Sequence, residues 1–303
     1  MADAGTADVR RRDERVWTMR EALTWTTGYF ERIGVDGPRR SAEWLLSAST
    51  GLSRVELYAH HDRPLTLGER AAFRAGIERR AAGEPLQYVT GEMPFRHLVL
   101  QVRPGVFIPR PETEVLVDAV LEFLDGSGVE ETLVVDLCTG SGAVAISAAY
   151  ERAGVRVHAT EVVPDTAEVA RSNAERAGVA DRVTIGVGDL FAPLPKKLRG
   201  HVDVVVANPP YVPTADLAGL PAEVASREPR VALDGGADGL DTVRRIVDEA
   251  REWLRPGGLL AMETDASHAK DAADLMSSWY EGVVVRQDLA GRDRIALGTR
   301  REA

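Results

Sequence analysis

One cysteine, Cys138, stands in 303 residues. A disulfide framework needs pairs and a cysteine metal cluster needs several, so both are excluded, and a reducing cytoplasm is the expected compartment. No apolar run approaches the ~20 residues that a membrane-spanning helix requires, so no membrane is expected as a partner. Met1 to Arg15 are polar and charged and lack the apolar centre of a signal peptide, and a disordered tail is expected over 1–15. Positive charge is also short: 37 Lys and Arg against 47 Asp and Glu leave a net charge of -10. That balance argues against a broad phosphate-binding face and a stable nucleic-acid partner, although a local basic patch could survive it. The dinucleotide fingerprint Gly-x-Gly-x-x-Gly is missing as well, since Ala145 stands where its third glycine would fall. What is present is an ordinary globular composition, 44% hydrophobic and 28% charged, in a chain long enough for two domains.

From Thr18 to about Gly83 the pattern is helical. Thr18 with Glu21, Ser53 with Glu56 and Thr66 with Glu69 have the spacing of capping boxes, in which each side chain satisfies the other's backbone N–H. Gly34 and Gly51 supply stops, and Pro38 sits at a helix start. Arg70, Arg74, Arg79 and Arg80 crowd the last of these helices, but Glu69 and Glu78 intersperse them, so a solvated face is the expectation. From Gln87 to Pro109 the period changes to two: Leu98, Leu100 and Val102 alternate with His97, Val99 and Gln101, and Val106 to Ile108 follow the turn Pro104-Gly105. A β-hairpin is expected there. Ile108-Pro109-Arg110-Pro111-Glu112-Thr113-Glu114 then opens a helix, with Arg110 and Glu112 either a surface cap or an ion pair shaping a pocket.

From Thr132 strand and helix alternate, the signature of a doubly wound parallel sheet, and Gly282 to Leu297 read as a terminal antiparallel hairpin. The first strand, Leu133 to Leu137, runs into Asp136-Leu137-Cys138-Thr139-Gly140-Ser141-Gly142 and an alanine-rich helix. Glycines at such a turn let backbone approach a ligand closely. The second strand ends in Glu161, about 20 residues on, where a carboxylate grips ribose hydroxyls. The third ends in Gly188-Asp189-Leu190, with Asp189 placed for an exocyclic amine and Leu190 for an adenine face. The fifth, Leu259 to Glu263, follows the turn Arg255-Pro256-Gly257-Gly258, and the fourth, Val204-Val205-Val206-Ala207, stops at Asn208-Pro209-Pro210-Tyr211. Asn-Pro and Pro-Pro are ordinary turn signals. They are also stiff, because proline fixes its own φ and holds the preceding residue extended. The Asn208 side-chain oxygen and the Pro209 carbonyl are placed to accept both hydrogens of one planar amino group, walled by Tyr211. Four strand-end polar residues, Asp136, Glu161, Asp189 and Asn208, describe a nucleoside pocket beside a reactive group. The pattern matches class I methyltransferases that use S-adenosylmethionine. His97 and His268, with no partner identifiable in sequence, are expected in surface or structural roles.

On the stretches Gly83 to Tyr88, Phe107 to Glu114, Asp136 to Gly142, Asn208 to Tyr211, Glu228 to Leu233 and Gly235 to Leu240, the chain resembles the HemK-type release factor glutamine methyltransferases. The Asn-Pro-Pro-Tyr motif is shared with adenine-N6 DNA methyltransferases. The helical N-terminal region followed by Ile-Pro-Arg-Pro-Glu-Thr-Glu is far more specific. The resemblance implies a helical docking domain over 16–84, a β-hairpin linker over 85–110 and a catalytic domain over 111–303. It implies transfer of a methyl group from S-adenosylmethionine, leaving S-adenosyl-L-homocysteine, to the glutamine amide of the Gly-Gly-Gln loop of class I peptide chain release factors. Gly140, Ser141, Gly142, Ala143 and Val144 would then contact the cofactor with Asp136, Glu161, Asp189, Leu190 and Asn208. Phe107, Arg110, Asn208, Pro209, Pro210 and Tyr211 would meet the substrate. Leu190 stands where the family often has an aromatic residue, Glu161 where it usually has aspartate, and Cys138 where glycine is common. A different glutamine protein as target, or an adenine-N6 nucleic-acid methyltransferase, are the alternatives.

Overall fold

A computed structural model describes residues 16–302; the tail expected over 1–15 lies outside the described residues. The chain divides into two compact units, one up to Thr90 and one from Gly91 onward.

The first unit is helical: α1 (Met19–Arg32), α2 (Pro38–Thr50), α3 (Arg54–Ala59), α4 (Leu67–Ala81) and α5 (Leu86–Thr90). All three capping boxes form with both of their hydrogen bonds. Gly51 ends α2 in the left-handed region, as a glycine can at little cost. The apolar stripes of α1, α2 and α4 meet through Phe30, Ala42, Leu46, Phe73 and Ile77, joined by Leu57 of α3. Arg79 pairs with Glu84 at the end of α4. Arg80, expected on a solvated face, is instead buried and donates to the Glu84 carbonyl.

The second unit begins with a hairpin, β1 (Glu92–Phe95) and β2 (Leu98–Gln101). It is shorter and earlier than the alternation suggested. Residues 86–90 are helical, the turn is Arg96-His97, and Val106 to Ile108 form no strand. The reason lies at Gln101. Its N–H donates to Asn173 Oδ1 at 2.7 Å and its carbonyl accepts from Asn173 Nδ2 at 3.1 Å, so a side chain satisfies the backbone where a further strand partner was expected. Phe95 and Leu100 pack into the main core, which makes the hairpin part of this unit.

The remainder is one sheet of seven strands: β3 (Thr132–Leu137), β4 (Val155–Glu161), β5 (Val183–Val187), β6 (Val202–Ala207), β7 (Leu254–Glu263), β8 (Tyr280–Gln287) and β9 (Asp293–Arg300). Their spatial order is β5-β4-β3-β6-β7-β9-β8. The first five run parallel, and β9 pairs antiparallel with both β7 and β8. Helices α6 (Thr113–Gly126), α7 (Ala143–Glu151) and α8 (Pro164–Arg176) bury Val134, Val204, Val206 and Ala261 on one face. The residues between them, Val135, Val205, Ala207 and Leu260, point to the other face, covered by α10 (Asp241–Trp253) and α11 (Ala269–Met276). A short α9 (Ala222–Arg227) lies in the connection after β6. Every residue of β6 is buried, as its β-branched run requires.

Arg255-Pro256-Gly257-Gly258, expected as a turn before the fifth parallel strand, runs instead inside β7 as an irregularity in its pairing with β6. A Cβ on Gly258 would sit 3.0 Å from the Val202 carbonyl oxygen, closer than an ordinary contact, so glycine eases that approach. The chain goes from β3 to β4 and β5 on one side, then returns to β6 on the other. Open sheets of this kind bind ligands at the carboxyl ends of strands beside such a reversal.

Candidate active site

At the carboxyl end of β3 the backbone takes three left-handed turns, at Cys138 (φ 56), Gly140 (φ 57) and Gly142 (φ 85). Two of these are glycines, and the third explains why glycine is common at position 138 in the resembling family. The bend is held from inside: Asp136 Oδ2 accepts from Thr139 Oγ1 at 2.6 Å and from the Ala145 N–H at 3.1 Å, tying the loop to the start of α7. Burial pushes the Asp136 carboxyl up to about 7, against those two hydrogen bonds. A Cβ on Gly142 would lie 2.6 Å from Ile146 Cδ1, whereas at Gly140 nothing lies within 4 Å, so the loop leaves an open cradle there. Ser141 Oγ is buried in the wall of this cradle without a hydrogen-bond partner among the described residues.

Glu161 ends β4 with both oxygens engaged, accepting from the Gly140 N–H at 3.0 Å and the Val163 N–H at 2.9 Å. Burial raises its pKa. After β5, Leu190 is buried at φ 45, while Asp189 is half exposed and pairs with Arg245 of α10 at 2.7 Å. Cys138 lines the same space, and burial pushes its thiol well up, which makes it an inert wall and no nucleophile.

At the end of β6 the Asn208 Nδ2 donates to Thr113 Oγ1, at the first residue of α6, across 3.2 Å. On the neighbouring strand, where Ala207 pairs with Met262, the next residue is Glu263, the last of β7, whose buried carboxyl is influenced by the Thr113 and Asn208 side chains, both favouring its charged form. Desolvation raises the Glu263 carboxyl to about 7 despite them. Pro210 and Tyr211 continue from Asn208 along the cavity, and burial raises the Tyr211 phenol. Pro209 is buried, and its carbonyl accepts no hydrogen bond within the described residues.

The segment after Tyr211 folds back through Gly235-Gly236 and Gly239. The Val212 N–H donates to the Leu233 carbonyl at 2.9 Å and the Gly235 N–H returns the bond to the Val212 carbonyl at 2.8 Å. A Cβ at Gly235 would meet the Pro210 carbonyl oxygen at 2.8 Å, and one at Gly239 the Tyr211 carbonyl oxygen at 2.4 Å. The glycines therefore let a second backbone pass hard against the Asn-Pro-Pro-Tyr turn. On the opposite wall, the Arg110 guanidinium lies 4.8 Å over the Phe107 ring and pairs with the buried Glu228 carboxylate. The ion pair that the sequence offers between Arg110 and Glu112 does not form; Glu112 meets Arg292 at 2.6 Å.

These elements enclose one cavity of about 810 Å³, inside the range of roughly 300–1,000 Å³ usual for small-molecule sites. Of the residues expected in the site, Phe107, Arg110, Asp136, Gly140, Ser141, Ala143, Val144, Glu161, Asp189, Leu190, Asn208, Pro210 and Tyr211 all line it. Gly142 and Pro209 are not among the lining residues. His97 and His268 are not part of it; His97 is exposed beside Glu151, and His268 sits at the start of α11 next to Ser267. Thr113, Glu228 and Glu263 are the residues that sequence reasoning passed over. Glu263 ends a parallel strand just as Glu161 does, so the strand-end rule applied to the other four strands would have found it.

A parallel sheet in this order with an antiparallel final pair, and a glycine cradle at its first strand facing a carboxylate at its second, define a class I methyltransferase that uses S-adenosylmethionine. The particular family follows from the comparisons. Residues 21–91 match the PrmC N-terminal domain, and residues 87–228 match the family described as Conserved hypothetical protein 95. A release factor glutamine methyltransferase from Moorella thermoacetica is 46% identical, over 94% of this chain and 99% of its own. One from Geobacter sulfurreducens is 43% identical over 93% of this chain and 97% of its own. One from Mycobacterium tuberculosis is 38% identical over 93% and 92%. Among solved structures, an RNA methyltransferase from Salinibacter ruber in complex with S-adenosyl-L-homocysteine is similar at 26% identity and a TM-score of 0.41, covering 65% of this chain and 95% of that one. The chain belongs to the release factor glutamine methyltransferase family.

Proposed function

We propose that the protein moves a methyl group from S-adenosylmethionine to the side-chain amide nitrogen of the glutamine in the Gly-Gly-Gln loop of class I peptide chain release factors, in the cytoplasm where translation terminates. The observation that carries this reading is the Asn208 amide. Its nitrogen end is held by Thr113, so Oδ1 remains as an acceptor beside the unpartnered Pro209 carbonyl. Two adjacent acceptors match the two N–H groups of one planar carboxamide.

A carboxamide nitrogen is a poor nucleophile because its lone pair is shared with the carbonyl. S-adenosylmethionine supplies a methyl group on a sulfonium, already a strong electrophile. The protein's contribution is therefore alignment, which in the best cases is worth roughly 7–11 kcal/mol. Asn208 Oδ1 and the Pro209 carbonyl hold both hydrogens of the substrate amide and turn its lone pair away from them. They also favour the pyramidal, partly positive nitrogen of the transition state. Tyr211, Pro210 and Phe107 exclude water from that nitrogen. Transfer leaves S-adenosyl-L-homocysteine as a neutral thioether and a cationic N-methylated amide, and that cation is acidic enough to release one N–H proton to water and become the neutral N-methylamide. Gly140, Ser141, Ala143 and Val144 would form the cofactor cradle, Glu161 would hold the ribose, and Leu190 would cover the base.

The charge pattern favours a protein substrate over a nucleic acid. Arg110, Arg230, Arg245 and Arg294 line the cavity, and each is paired with a carboxylate: Glu228, Asp234, Asp189 and Asp265 in turn. Phosphates would have to break those pairs. A Gly-Gly-Gln loop offers few side chains to grip, so selectivity for a release factor rests on contacts elsewhere, and the helical unit over 16–84 is the docking surface.

The test is transfer of labelled methyl from S-adenosylmethionine to a purified release factor, to the same factor with its loop glutamine replaced by alanine, and to single- and double-stranded DNA. Label on the first alone is expected. Label on DNA would support the adenine-N6 reading, and label on both protein samples would move the target to another glutamine.

A further inference from the structure

Glu263 is 1% exposed and lies behind the cavity wall, and the reaction as described gives it no part. Its setting is unusual for a carboxylate. It closes β7 at the strand end next to Asn208, since Ala207 and Met262 are paired, and the Thr113 and Asn208 side chains favour its charged form. Its second oxygen has no hydrogen-bond partner among the described residues. Burying a carboxylate this incompletely satisfied is costly, and such a group is retained where it orients something.

What it orients follows from the donors. Asn208 Nδ2 carries two hydrogens. One donates to Thr113 Oγ1 at 3.2 Å, which leaves the Thr113 hydroxyl hydrogen to find another acceptor; Glu263, at the neighbouring strand end, is the carboxylate on offer both to it and to the second amide hydrogen. Both hydrogens of the amide thus point into the protein, and its oxygen is left for the cavity. The opposite flip would set Asn208 Oδ1 against the oxygens of Glu263 and Thr113 and expose an NH2 to a substrate NH2, repelling on both sides.

We propose that Glu263 and Thr113 are positioning residues for methyl transfer: they lock Asn208 in the one orientation that presents its oxygen to the substrate amide, and the carboxylate polarises that oxygen. The inference rests on the reading of Asn208 as an acceptor of the substrate amide. Because the nitrogen gains positive charge only as the methyl arrives, the effect falls on kcat more than on binding. Thr113 belongs to α6, Asn208 to β6 and Glu263 to β7. The acceptor is therefore set by three elements that meet only in the folded unit.

The experiment measures kcat, KM for the release factor and Kd for S-adenosylmethionine in Glu263→Gln, Thr113→Val and Thr113→Ser. Glu263→Gln and Thr113→Val are expected to lower kcat by roughly 10–100-fold, with cofactor Kd within about twofold. Thr113→Ser, which keeps the hydroxyl, is expected to recover most of the loss. In an Asn208→Ala background, Glu263→Gln is expected to add nothing further. Wild-type kcat in Thr113→Val and Glu263→Gln, with Asn208→Ala inactive, would overturn this inference alone. Independent, multiplying losses in the double variant would also overturn it, because Glu263 would then act by another route. Full turnover in Asn208→Ala would instead remove the underlying reading. If Glu263→Gln loses cofactor binding through misfolding, the Thr113 pair decides: equal loss in the valine and serine variants counts against the proposal.

Discussion

The two ends of the cavity are built by different means. At the cofactor end the wall is mostly backbone: three left-handed residues between Asp136 and Gly142, with the N–H of Gly140 fixed by Glu161. Its ties are of shorter range: 21 positions from Gly140 to Glu161, 32 from the Ser141 carbonyl to Asn173 and 56 from Asp189 to Arg245. At the acceptor end the wall is side chains brought from afar. Asn208 meets Thr113 across 95 positions, and Arg110 meets Glu228 across 118. A backbone cradle can be written into one loop and tolerates changes around it. A side-chain constellation depends on several elements docking correctly, and each of its members is exposed to mutation. On the proposed reading the first end would hold a cofactor common to many enzymes, whereas the second would have to distinguish one amide.

If that division is sound, variants at one end should leave the other intact. The largest effect is expected for Asn208→Ala. Loss of a preorganised group facing developing charge costs about 10²–10³ in kcat. Cofactor affinity should stay within about tenfold, ~1.4 kcal/mol. Calorimetric titration beside a turnover assay checks both, and retained turnover would take Asn208 out of the chemistry.

Next is Glu161→Ala, which should weaken S-adenosylmethionine binding by roughly 1.5–3 kcal/mol through loss of hydrogen bonds to a charged group. At saturating cofactor, kcat should recover to near the wild-type rate. An unchanged Kd would mean that the ribose is held elsewhere.

Arg110→Ala tests the acceptor end from its other wall. It leaves the Glu228 carboxylate buried without its cation, and burial already holds that group's pKa up. Breaking a buried pair costs about 3–5 kcal/mol, but Arg110 is 31% exposed, so about 2 kcal/mol of stability is expected. KM for the release factor should rise while cofactor Kd is unchanged. A parallel fall in cofactor affinity would show the two ends to be coupled, against the division drawn above.

The smallest effect is a pH dependence at Glu263. Burial holds its carboxyl protonated up to about 7 in the folded protein, whereas the unfolded chain releases that proton near ~4.3. Between those values the folded state carries the extra proton, so raising the pH through this window removes stability. Glu263→Gln has no proton to lose. Its melting temperature relative to the wild type should therefore rise from pH 5 to pH 8, while Asp136, present in both proteins, cancels. A constant difference would mean that Glu263 is ionised across the whole range.

Local features were legible in the sequence because they are settled within a few residues. The capping boxes need only a Ser or Thr and a Glu three positions on, and all three formed. The buried β6 run, the glycine turn after β3 and the polar strand ends are likewise encoded in adjacent residues. Where local pattern competed with tertiary partners, the partners won. The alternation around Leu98 did mark a strand, but Asn173 of α8 ended it at Gln101 and no second strand followed. The glycines at 257 and 258 read as a turn, yet Gly258 serves a close approach to β6 inside β7.

By itself the sequence determined the order of helices and strands, the left-handed bends and which residue types close each strand, because backbone sterics and side-chain period act over a turn or two. Only the tertiary structure decided that Arg110 answers Glu228 and Arg292 answers Glu112, and that Thr113 takes the amide of Asn208 with Glu263 at the adjoining strand end. Those pairings depend on which buried groups face one another once the sheet is assembled. A carboxylate at 263 acquires its partners, its raised pKa and its place behind the site from the low-dielectric interior that packing creates, and no spacing along the chain records that environment.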